Sequence, residues 1–61
     1  MRAERMLQFR NMDNERFWVN SAYVTMVFDI SGRTVIRTID GKEEHVPDDA
    51  DLVISRVTGD V

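Results

Sequence analysis

Apolar and polar residues alternate from the seventh position onward. Leu7 and Phe9 are separated by polar Gln8 and Arg10, a period of two that predicts a short strand over 6–11. Asp13-Asn14 tolerates a turn and positive φ, and Arg16-Phe17-Trp18-Val19 reads as the returning strand of a hairpin. Phe17 and Val19 share one face there, which sends Trp18 to the other. After Asn20-Ser21 the alternation is clearest. Ala22, Val24, Met26 and Phe28 fall on one face, Tyr23, Thr25 and Val27 on the opposite one. Both faces are largely apolar, so this strand is expected to be central or covered on its second side, with Met26 as core filler.

Asp29-Ile30-Ser31-Gly32 reads as a turn, with Gly32 free to take positive φ. The β-branched run over 33–39 suits a pleated surface. Asp40-Gly41 is the strongest hairpin dipeptide and is expected to form a type I′ turn. Residues 42–46 return as a polar strand whose charges suit a sheet edge. Pro47 ends it. Asp48-Asp49-Ala50-Asp51 then offers a helix cap. That cap argues for a short helix over 49–56, while the β-branched residues of Leu52-Val53-Ile54-Ser55-Arg56-Val57 argue for a strand. The fold class is therefore mainly β: a small antiparallel meander of about five strands closed by a short C-terminal helix or strand. It forms a single domain over 1–61, with 1–5 as a flexible N-terminal arm.

Length adds a constraint. A domain of about 60 residues buries only ~60% of the surface its unfolded chain exposes, and a β-rich chain this short leaves sheet edges unpaired. There is no cysteine to supply a disulfide or a thiolate zinc site. Self-association answers both deficits, so a homo-oligomer or an obligate partner is expected.

Composition narrows the function classes. Eight basic side chains face eleven carboxylates, for a net charge of −3 and a pI near 4.9. A nucleic-acid coat or a basic membrane-surface peptide should be basic, so neither is expected. No apolar run approaches the ~20 residues of a membrane span, and a cytoplasmic location is expected. Charge is also uneven. Residues 1–37 carry six basic and four acidic side chains, net +2, whereas 38–61 carry two and seven, net −5. Such asymmetry suits either assembly with a complementary surface or simple solubility.

The stretch Met12-Asp13-Asn14-Glu15-Arg16-Phe17-Trp18-Val19-Asn20 resembles the hairpin that opens the FlbD/SwrD-like family of small flagellar and motility proteins. The resemblance continues through Tyr23-Val24-Thr25-Met26-Val27 and a second hairpin ending in Asp40-Gly41-Lys42, covering about residues 7–46. Two departures stand out: the first turn lacks glycine, and the closing segment is short and β-branched. The resemblance implies a meander ending in a helix and a motility role, and it brings no catalytic residues. Gly32-Arg33-Thr34-Val35-Ile36 is similar to a hairpin in half of a LytTR-type DNA-binding domain, which is longer and basic where it meets phosphate.

Candidate chemistry is sparse. His45 is the single histidine, and nothing nearby completes a metal set with Glu43. Asp48, Asp49 and Asp51 fail the calcium-loop pattern because Val53 stands where an oxygen ligand belongs. No cysteine nucleophile or evident serine–histidine pair is present, so no catalytic residue, cofactor or metal is expected. Arg33 and Arg37, four apart on a strand, project from one face and make a candidate anion or nucleotide site. Trp18 and Tyr23 are the candidate interface. The leading expectation is a small non-enzymatic regulatory or interaction protein acting through homo-oligomerisation and protein binding. Two alternatives stay open: an inhibitor of the mobile-element kind that sequesters a nucleotide or other anion, and a LytTR-like DNA reader.

Overall fold

A computed structural model describes residues 5–59. Strand β1 (Met6–Arg10) pairs antiparallel with β2 (Arg16–Asn20) as a separate two-stranded sheet. A single 3-10 turn (Ser21–Tyr23) leads into β3 (Val24–Ile30), β4 (Arg33–Thr38) and β5 (Glu43–Val46), which form a three-stranded antiparallel sheet in chain order. Helix α1 (Ala50–Thr58) ends the fold. The five strands are as expected, but they are not one unbroken meander. The interruption lies at Asn20, whose side-chain oxygen accepts from the Ala22 N–H at 2.9 Å. That bond turns the chain out of the first sheet before the next strand begins.

The closing segment is a helix because its ends are well capped. The Asp49 carboxylate accepts from the Asp51 N–H at 3.1 Å, and Gly59 takes φ 76° to close the last turn. The β-branched Val53 and Val57, one turn apart, are buried on a single stripe against the sheets. Packing outweighs the small helix-propensity penalty of these residues. The arm expected over 1–5 falls outside the described residues except for Arg5. That residue exchanges bonds with Ser21 and donates from its guanidinium to the Arg56 carbonyl at the helix C-terminus, where a cation is favoured.

Leu7 and Phe9 alternate inward as expected and meet Ile36, Val46, Val53 and Val57 in one core, with Phe17, Val19, Val24 and Val27 packed against it. The expected faces of β3 are corrected. Val24 pairs with Thr38 but Met26 with Arg37, so Thr25 is a bulge. A bulge inserts one residue and re-aims those beyond it. Val24 and Val27 therefore both face the core, while Met26 and Phe28 face outward. Met26 is 47% exposed and fills no core.

The hairpin chemistry is also redistributed. Ser31 and Gly32 both take positive φ, 50° and 80°, between the paired residues Ile30 and Arg33. This is the two-residue loop that a type I′ turn requires. Asp40 has no positive φ; only Gly41 does, at 86°. The Gly41 N–H donates to the Thr38 carbonyl at 2.9 Å and the Thr38 N–H to Lys42 at 3.0 Å, giving a three-residue loop with glycine at the left-handed position. The loop after β1 is built alike, with Asn14 at φ 64° in the glycine's place. Asn11 supports it by accepting from the Asp13 and Glu15 N–H groups.

Serine is a poor occupant of left-handed backbone, where asparagine is tolerated. Ser31→Asn is expected to raise stability by about 0.5–1 kcal/mol, read as a higher urea midpoint with unchanged slope. A lowered midpoint would contradict the turn assignment.

Candidate docking groove

Helix α1 lies against β3 and β4, and the Arg56 guanidinium sits 4.3 Å from the centre of the Phe9 ring. That side of the core is closed. A groove of about 600 Å³ opens between β2 and the end of the second hairpin. Phe17 and Val19 of β2 and Ile36 of β4 line its apolar floor. Its walls are Met6, Trp18, Tyr23 and Ile39, which are 62%, 53%, 51% and 71% exposed.

Local structure puts each wall in place. Trp18 lies on the β2 face opposite Phe17, as strand alternation requires, and Arg16 stands over its ring at 5.6 Å. Tyr23 ends the 3-10 turn, and its carbonyl accepts from the Ile39 N–H at 2.8 Å. That bond ties the loop bearing Ile39 to the segment bearing Tyr23. Sequence reasoning named Trp18 and Tyr23 and missed Met6, Ile39, Lys42 and Glu44. The available signal was Ile39, a large apolar residue beside a polar hairpin turn.

Two strand edges bear on the groove. β2 pairs only with β1 and β5 only with β4. Backbone bonds in an antiparallel ladder alternate sides. The Thr38–Lys42 bond therefore fixes that Glu44 and Val46 bond inward to β4, while the N–H and C=O of Glu43 and His45 point away from it. The Asn11–Glu15 bond likewise directs the backbone groups of Trp18 away from β1.

Polar groups at the lip differ in how they are used. Asp40 serves its own turn, accepting from Thr38 Oγ1 at 2.5 Å and from the Lys42 N–H at 3.1 Å. These bonds, Thr38's first, hold its carboxyl below the ordinary 3.8. A carboxyl depressed in this way stabilises the turn above its unfolded pKa and ceases to do so as pH falls through the folded one. Thr38→Val is expected to move the Asp40 titration upward by carboxyl NMR; an unmoved midpoint would show that the hydroxyl is not the cause. Lys42 and Glu44, two apart and both lining the groove, have no ion-pair partner among the described residues.

Arg33 and Arg37 do share the outer face of the second sheet. Arg37, however, donates from Nε and Nη2 to Glu43 Oε2 at 2.9 and 2.6 Å and lies over the Phe28 ring. Its charge is already matched. Arg33 stands exposed beside the Ser31–Gly32 turn, and neither arginine lines the groove. His45 lies half-buried opposite Val35 on the same outer face. Among the described residues, no three His, Cys, Asp or Glu side chains gather as a metal ion needs, and no helix is long and apolar enough to cross a membrane. The chain matches no family model, no curated protein and no solved structure.

Proposed function

We propose that this chain is a non-enzymatic interaction protein that acts through self-association and protein binding, with the Trp18–Tyr23 groove as its docking surface. The observation that carries this reading is the ring of four large apolar side chains, each more than half exposed, around an apolar floor. Apolar patches of a few hundred Å² are among the largest that soluble monomers carry and are often functional. A standard interface takes about 800 Å² per partner, roughly a fifth of the 4350 Å² this chain exposes. Aromatic side chains with a nearby arginine are the usual anchors of such contacts. The FlbD/SwrD-like resemblance would place the partner in motility.

The anion-sequestering and DNA-reading alternatives draw less support. Arg37 is engaged by Glu43, and the groove lip carries two carboxylates against one lysine. Trp18 is the single tryptophan, so its emission reports directly on the surface. Emission is expected to shift to the blue as protein concentration rises and the ring leaves water. A solvent-exposed spectrum that stays constant from nanomolar to millimolar chain would overturn self-association through this surface.

A further inference from the structure

We propose that the groove's occupant is a second copy of this chain, with β5 running antiparallel to the partner's β5 about a two-fold axis at Glu43. This inference rests on the groove reading above and deepens it. The β5 edge offers the backbone groups of Glu43 and His45, and only registers that bring such outward groups together can bond. With the axis at Glu43, Lys42 lies opposite the partner's Glu44, and the reverse contact forms by symmetry. Both side chains line the groove and have no ion-pair partner among the described residues, so the dimer gives each one, adding for Lys42 to its electrostatic attraction to Asp40. The two Glu43 residues meet on the outer face, each already paired with its own Arg37 at 2.6 Å. A slip to the next bonded register sets Glu44 against the partner's Glu44, a like-charge contact that, unlike the Arg37-paired Glu43 contact, has no cation in an ion pair among the described residues to offset it. Edge charges that repel strangers are thus self-complementary in one register. The contact is made at the groove lip, where Lys42 and Glu44 are both lining residues.

The test is a charge exchange. Lys42→Glu sets two glutamates against each other at both contacts, and Glu44→Lys sets two lysines. Each variant alone is expected to self-associate about tenfold or more weakly than wild type. Mixing them, one labelled with nitrogen-15, should give a heterodimer that native mass spectrometry finds in excess of either homodimer. The double exchange in one chain should return wild-type affinity, which separates a pairing effect from a folding defect. Single variants that associate like wild type, or a mixture no stronger than its parts, would overturn the pairing. Wild-type dimer weakened by Trp18→Ala yet indifferent to these exchanges would overturn the pairing alone. A wild-type monomer at every concentration would overturn the groove reading with it.

Discussion

Phe9→Ala is expected to leave the chain largely unfolded at 25 °C. Phe9 is 2% exposed and sits where the three parts of the fold meet. Its ring lies 6.0 Å from that of Phe17 at an interplanar angle of 28°, and the Arg56 guanidinium of the helix covers it. Removing a buried phenylalanine costs about 3–5 kcal/mol through lost transfer energy and the cavity left behind. The cation–π contact with Arg56 goes too, adding about 0.5–2 kcal/mol. A chain of this size has a total stability of only about 3–9 kcal/mol, so the loss approaches the whole. Circular dichroism should show the folded signal nearly gone, and Phe9→Leu, which keeps most of the volume, should retain it. A Phe9→Ala protein that still melted cooperatively within a few degrees of wild type would mean that the first hairpin is not part of the core.

Much of this architecture is legible in the residues, for identifiable reasons. Strict alternation at Leu7, Phe9, Phe17 and Val19 places the first hairpin's inner face and sends Trp18 outward, since period two leaves no other choice. Alternation cannot see a bulge. The extra residue at Thr25 exchanges the faces of Met26 and Val27, and it reflects how Val24 meets Thr38 across the sheet rather than any local pattern. Turn chemistry was ambiguous for a similar reason. Asp-Gly and Ser-Gly both accept more than one loop length, and strand register decides which becomes the two-residue turn. The helix prevailed over β-branched propensity because Asp49 and Gly59 cap it and Val53 and Val57 find the core. The groove was half visible. Trp18 and Tyr23 announce themselves by type, whereas Ile39 and Glu44 join them only through the Tyr23–Ile39 bond and the β4–β5 ladder.

Trp18→Ala should separate assembly from folding. The ring is 53% exposed, with the Arg16 guanidinium over it at 5.6 Å, so a dilute sample of the variant should melt within a few degrees of wild type. Between copies the same ring is a large, stiff apolar anchor beside Tyr23, the kind of residue whose truncation costs about 2–4 kcal/mol at an interface. Self-association is therefore expected to weaken about thirtyfold or more. Cross-linking or sedimentation would read the change. Undiminished association in a well-folded Trp18→Ala chain would place the contact elsewhere on the surface.

Sedimentation equilibrium of the wild-type protein over a wide concentration range bears most directly on the proposal that the open side of this fold is closed by another copy. Self-association through the groove gives a mass that climbs from 7.1 kDa toward twice that value and falls back reversibly on dilution. A mass fixed at the single-chain value up to millimolar protein, in a sample that is folded throughout, would contradict it.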